Sequence, residues 1–197
     1  KDSQSVNLKS EVYCENVKRV INVISSLSCD KAEKTEKAFE LIKRSIEIAA
    51  IVGVKNIIVH PKQHLDYPEF KDELKAQNIE FYNKLLPLCD EYNINVLTEN
   101  MWKRKQGGIV HSVCAPAEEF RGYVDMMNHS RFGACLDIGH TYLVKEDIVN
   151  MINTLGDKIW GLHVHDVASD NDLHTIPFFA SINNWEEIMA ALGKVGY

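Results

Sequence analysis

Long stretches of helical period alternate along the chain with short apolar runs rich in Val and Ile. Between Lys31 and Val52, Phe39, Ile42, Ile46, Ala49 and Ala50 recur at helical spacing, and Gly53 stands where a helix stop is expected. Asn56-Ile57-Ile58-Val59-His60 then reads as a buried strand closed by Pro61. A second helix is predicted from near Pro68, with Phe70, Leu74, Phe81, Leu85 and Leu88 on one face, ahead of a strand from Ile94 to Glu99. A third opens at Pro116, carries Phe120, Val124 and Met127, and leads into a strand from Gly133 to Asp137. A fourth covers Lys145 to Leu155 before a strand from Ile159 to His165, and a last one around Trp185, Ile188, Met189 and Leu192 ends at Gly193. Near the start, Val20 to Ile24 is compatible with a helix, but the Ser25-Ser26 that follows favours a strand.

Repetition of this unit predicts an α/β fold with a parallel sheet covered by helices. No linker or low-complexity segment interrupts it, so residues 1–197 are expected to form one domain. About five strands are legible, whereas a closed (β/α)8 TIM barrel takes roughly 250 residues. The expectation is therefore a TIM barrel truncated at both ends, without its first and last strands.

Composition acts mainly by exclusion. The net charge is −6 and the chain has no block of Lys or Arg, which argues against nucleic acid as a partner. Cys14, Cys29, Cys89, Cys114 and Cys135 are odd in number and show no C-x-x-C spacing. That argues against a disulfide framework or zinc knuckle and for a reducing, cytoplasmic setting. No apolar run approaches membrane-spanning length, so no membrane association is expected.

Three predicted strands end alike, in Glu99, Asp137 and His163. Strand C-termini of a parallel barrel share one face, so these side chains are expected to converge. Period-two alternation puts His165 on the same side as His163. Two carboxylates and a neutral imidazole suit Mn²⁺, Mg²⁺, Co²⁺ or Zn²⁺, with positions left for substrate oxygens. Any one of them could be a strand-end polar group satisfied by hydrogen bonds. Three in succession, each carrying charge inward, require compensation.

Ser45-Ile46-Glu47-Ile48-Ala49-Ala50 with Gly53, Val59-His60-Pro61, Leu97-Thr98-Glu99-Asn100, Leu136-Asp137-Ile138-Gly139-His140 and His163-Val164-His165-Asp166 follow one another in a telling order. In this the chain resembles the xylose isomerase-like TIM barrels from about Ile24 to Tyr197. That superfamily holds sugar isomerases and epimerases together with endonuclease IV-type abasic-site nucleases. The resemblance implies that Glu99, Asp137 and His163 are three of four ligands of a divalent metal, the fourth being a Glu on a last strand beyond Tyr197. It implies further that Glu99 is both ligand and acid/base, moving a proton beside the substrate carbonyl while the metal steadies the enediolate. His140 joins Glu99 as a catalytic candidate. His60, Trp102, His165, Asp172 and His174 are the substrate-binding candidates. His60, His140, Asp172 and His174 match positions that hold additional zinc in the nuclease branch and that contact hydroxyls or brace ligands in the sugar branch.

A nuclease needs a further His at the end of the second strand, and Ile24-Ser25-Ser26-Leu27-Ser28 supplies none. After Asp172-Leu173-His174, Thr175-Ile176-Pro177-Phe178-Phe179-Ala180 lacks the nuclease's glycines and basic residues. It also lacks the Pro-Gly turn common in sugar enzymes. The expected function is a divalent-metal-dependent sugar or sugar-phosphate isomerase or epimerase. The alternatives are an abasic-site nuclease with a multinuclear zinc site, and a barrel that binds a ligand without turning it over. Trp102 could stack on a sugar face, and Lys103, Arg104 and Lys105 could meet a phosphate or form a solvated loop. His64, His111 and His129 are expected to be solvent-exposed. Whether the chain forms a homo-oligomer is open at this level.

Overall fold

A computed structural model describes residues 21–23, 32–67, 69–168, 170–179 and 183–197, with side chains from residue 36 onward. The segment expected to lack a second-strand histidine, residues 24–28, lies outside these, as do Cys14 and Cys29. The elements run β1 (Ile21–Val23), α1 (Ala32–Ile51), β2 (Asn56–Val59), α2 (Lys71–Tyr92), β3 (Asn95–Glu99), β4 (Trp102–Lys105) and β5 (Gly108–His111). They continue with α3 (Ala117–Met127), β6 (Phe132–Asp137), α4 (Ile138–Leu143), α5 (Ile148–Leu155), β7 (Ile159–His163) and α6 (Trp185–Val195). Strands β1, β2, β3, β6 and β7 lie side by side in that order, each parallel to its neighbour. The result is a parallel half-barrel with helices on its outer face, the truncated TIM barrel that the alternating pattern predicts.

Alternation along each strand sorts residues between two faces. Outward-facing Ile57, Val59, Val96, Ala134 and Leu136 join Ile42 and Ile46 of α1, Leu74 and Leu85 of α2, Phe120 of α3, Ile152 of α5 and Ile188 of α6 in one apolar core. Inward-facing Ile58, Leu97 and Cys135 form a separate small cluster, against which Trp160 packs. Two residues further along the same face stand His60, Glu99 and Asp137. The inner wall thus has an apolar lower tier and an ionisable upper one. At β7 the register slips, Ala134 pairing with Ile159 and Cys135 with Gly161, so Trp160 is an inserted residue. Its indole lies on Gly133, where a Cβ would stand 2.5 Å from the ring.

Several details depart from the sequence pattern. The last helix continues past Gly193 to Val195 and is capped by Gly196 at φ 82, while Met189 lies exposed. On α2, Phe70 is outside the helix and exposed, and Asn78, Tyr82 and Cys89 complete the buried face. Two elements are new. Helix α4 starts directly from β6, with Asp137 Oδ1 accepting the His140 N–H at 2.7 Å. Trp102–Lys105 and Gly108–His111 form an antiparallel hairpin, turning through Gly107 at φ 100. The strand Trp-Lys-Arg-Lys carries one apolar residue, too few for a period-two signal. His64, His111 and His129 are half-buried rather than solvent-exposed. His111 Nε2 lies 2.8 Å from Glu146 Oε1, and His129 Nε2 lies 3.4 Å from Asp90 Oδ2.

Beside β7, Leu162, Val164, Phe178, Trp185, Met189 and Tyr197 line an apolar cleft of about 420 Å³. Phe178 holds φ 70, at the turn where the family resemblance leads one to expect glycine. Cys89, Cys114 and Cys135 are buried free thiols, and burial pushes that of Cys89 up to about 12. Among the described residues no helix is long and apolar enough to cross a membrane.

Candidate metal centre

Strand ends on the inner face deliver the central side chains. Glu99 ends β3, Asp137 ends β6 and His163 ends β7, and Asp137 pairs with His163 in register. Glu99 and Asp137 are 1% and 0% exposed. His163 Nδ1 lies 3.3 Å from Glu99 Oε1 and 3.2 Å from Asp137 Oδ2. His60, one residue past β2, places Nε2 3.1 Å from Glu99 Oε2, and His140 places Nδ1 3.2 Å from Glu99 Oε1. With Gln63, Met101, Trp102, Asp172 and His174, these residues line a cleft of about 320 Å³. The Trp102 ring stands 6.4 Å from that of His140, centroid to centroid, and forms part of the wall.

A second group gathers at the rim around Asp172. Its Oδ2 faces His140 Nε2 at 3.1 Å and His174 Nε2 at 3.2 Å. The His174 ring is stacked on that of His165, centroids 4.2 Å apart and planes 7° apart. His165 itself, expected among the substrate contacts, is absent from the cleft wall. It is 5% exposed, with Nε2 3.0 Å from Asp137 Oδ1. The basic triplet is likewise occupied elsewhere. Lys103 Nζ donates to the carbonyls of Gln63 and Leu65 at 3.2 and 3.3 Å, Lys105 Nζ lies 3.2 Å from Asp66, and Arg104 reaches Asp170 at 3.3 Å. These contacts pin the hairpin beside the cleft.

Asn100 was legible only as the neighbour of Glu99. It is buried, accepts the Asp137 N–H at 2.8 Å and donates to the Asp137 carbonyl at 3.0 Å. These bonds lock the ends of β3 and β6 together. A polar residue after a strand-end carboxylate was the available signal. Gln63 and Met101 carry none, because each lies in a connecting segment without periodicity.

Among the described residues, every group within ion-pair distance of Glu99 and Asp137 is an imidazole. Burial, the strongest influence on Glu99, pushes its carboxyl up, but hydrogen bonds from His163 and His60 and the nearby imidazole charges bring it below the ordinary value. The same opposition holds Asp137 far below the carboxylate range, with His163 and His165 as donors. Burial disfavours protonated His140 and His163, yet the surrounding carboxylates outweigh it and raise them to about 9 and about 10. Both ring nitrogens of His140 face acceptors, since Nδ1 is also 2.8 Å from the Asn100 carbonyl, which makes the ring an imidazolium.

This donor set fits a divalent cation. Protons on the imidazoles balance two buried carboxylates here, and a cation between the carboxylates would replace that charge and free nitrogen lone pairs to bind it. Ligand atoms of Glu99, Asp137 and His140 lie within 4.8 Å of one another, as do those of Glu99, Cys135 and His163, and, at the rim, of His165, Asp172 and His174. Burial keeps the Cys135 thiol protonated far above its usual range. That leaves the oxygen and nitrogen donors, which suit Mn²⁺, Mg²⁺, Co²⁺ or Zn²⁺.

The family described as xylose isomerase-like TIM barrel matches residues 12–197. The chain belongs to this family. A probable endonuclease 4 from Staphylococcus saprophyticus is 29% identical over 166 residues, covering 79% of this chain and 52% of its own length. An uncharacterized protein, y4fM, from Sinorhizobium fredii is 24% identical over 168 residues, covering 82% and 50%. This member of the family thus spans about half the length of the curated relatives it matches. Among solved structures, a D-tagatose 3-epimerase-like protein superposes with a TM-score of 0.76 at 19% identity, over 95% of this chain and 74% of its own. The IolI protein with a bound zinc atom gives 0.73 at 16% identity, over 96% and 71%. At these identities the superpositions speak for the fold.

Proposed function

We propose that this xylose isomerase-like barrel is a divalent-metal-dependent sugar or sugar-phosphate isomerase or epimerase, with Glu99, Asp137 and His163 as metal ligands. One observation carries the reading: three residues from three different strands, 38 and 26 positions apart, converge within hydrogen-bonding distance at a cleft floor where, among the described residues, imidazoles alone balance the charge. When bound, the cation supplies positive charge to the oxygens of a carbonyl-bearing sugar.

On this reading Glu99 moves the proton. Its Oε2 faces His60 and its Oε1 faces His163 and His140, so one oxygen can bind the cation while the other takes a proton from the carbon beside the carbonyl. His140, held by the Asn100 carbonyl and Asp172, steadies a substrate oxygen on the same reading. Trp102 offers an apolar wall against a sugar ring, and His60, Asp172 and His174 offer polar contacts around it.

The decisive experiment incubates the protein and Mn²⁺ with a ketohexose panel in deuterated water and follows label at the carbon next to the carbonyl. Exchange that disappears in Glu99→Gln supports the proposal. A second reading rests on the imidazole group around Asp172 and on the endonuclease-named relative: an abasic-site nuclease with more than one zinc ion. Cleavage of an abasic duplex, with no exchange into any ketose, would establish that reading and remove the first.

A further inference from the structure

The two oxygens of Asp137 are held differently. Oδ1 accepts the His140 backbone N–H at 2.7 Å and faces His165 Nε2 at 3.0 Å. Oδ2 faces His163 Nδ1 at 3.2 Å, on the side of the cleft, with His165 Nε2 further off at 3.3 Å. One oxygen is thus saturated from behind, and the other is presented forward.

His165 can take this place only because of Gly139. A Cβ built on Gly139 would stand 2.0 Å from His165 Cε1 and 2.6 Å from each ring nitrogen, so the imidazole sits directly against the bare backbone of α4. No real contact is that short, so any larger residue displaces the ring. The other end of the ring is fixed by Nδ1, which donates to the Asp166 carbonyl at 3.3 Å. Its outer face is covered by the stacked His174 ring.

We propose that His165, seated on Gly139, is a positioning residue: it ties down Asp137 Oδ1, selects Oδ2 as the oxygen offered to the cation, and through its stacked partner links that choice to the rim at His174. This rests on the metal-binding reading of Glu99, Asp137 and His163. His165 touches neither cation nor substrate on this view; it acts through Asp137. A donor bound behind a ligating carboxylate fixes its orientation and tunes its basicity, and losing such a partner costs roughly 10- to 100-fold in metal affinity.

The test is calorimetric titration of the protein with Mn²⁺ alone and with Zn²⁺ alone, alongside a thermal melt of each variant. His165→Phe keeps a flat ring on Gly139 and removes the donor, and it is expected to weaken cation binding roughly 10- to 100-fold. His165→Gln returns an amide N–H near the Nε2 position and should recover most of the affinity, which a role in packing alone would not produce. Gly139→Ala should weaken binding like His165→Phe, by evicting the ring. Wild-type affinity in His165→Phe, or a His165→Gln variant that folds yet binds no better than His165→Phe, would overturn the proposal while leaving the metal site standing. Absence of binding by the wild type would instead remove the metal-site reading and this one with it.

Discussion

The inner wall of the half-barrel carries two tiers built from the same strands, two residues apart. The lower tier, Ile58, Leu97 and Cys135 with Trp160, is closed, apolar and indifferent to pH. In the upper tier Glu99 and Asp137 are just as buried yet carry charge, with the partly exposed imidazoles of His60 and His163 set against them. A carboxylate at that depth is stable only with compensation, and this chain supplies it as imidazole protons. Burial depth is therefore a poor guide to role here. What separates the tiers is whether the buried group could be replaced by a methyl without leaving a charge behind.

The sharpest way to break the contrast is to neutralise the upper tier. Glu99→Gln is expected to lower turnover by about 10²- to 10⁴-fold, the usual worth of a positioned acid/base, with the fold retained by circular dichroism. Leu97→Ala does the reverse. It should destabilise the protein by about 2–5 kcal/mol in denaturant unfolding, by opening a cavity beneath the site, and leave cation affinity within a few-fold once folded.

A third measurement uses protons. In the metal-free protein His140 and His163 are raised from 6.5 to about 9 and about 10. Their contribution to stability is thus complete below the unfolded value of 6.5 and is lost as pH rises through 9 and 10. Glu99 and Asp137 are lowered, so theirs is present above the ordinary carboxylate range and is lost in acid. Cation binding must expel the imidazole protons, so titrations at neutral pH in buffers of different ionisation enthalpy should show proton release and an affinity that climbs with pH. An affinity flat from neutral pH to pH 9 would contradict this charge balance. The smallest effect is expected at the wall: Trp102→Ala should raise KM for a bound sugar by about 2- to 10-fold, on the order of one lost ring contact, with kcat unchanged.

Much of this architecture could be read from the chain because its strands are short, apolar and end in ionisable residues. Leu97-Thr98-Glu99 and Leu136-Asp137 announce both a buried strand and the point where it opens to the cleft. The hairpin could not be read, since Trp102-Lys103-Arg104-Lys105 buries too little to leave an alternating trace, and its Lys103 is held by the loop carbonyls of Gln63 and Leu65 while Lys105 pairs with Asp66. Nor could the place of His165: spacing put it beside His163, but the vacancy at Gly139 that turns its ring toward Asp137 exists only after α4 has formed on β6.

The exposed aromatic rim has a practical consequence for biophysical work. Ile176, Phe178 and Phe179 are 72%, 71% and 68% exposed, and the neighbouring cleft along β7 is apolar and open. Fluorescent dyes that report greasy surface should light up on the intact protein, at neutral pH and low temperature, with its near-ultraviolet dichroism undiminished. Dye brightness alone would then mimic a loosened, partly unfolded ensemble, and a melting curve followed by such a dye would begin from a high baseline.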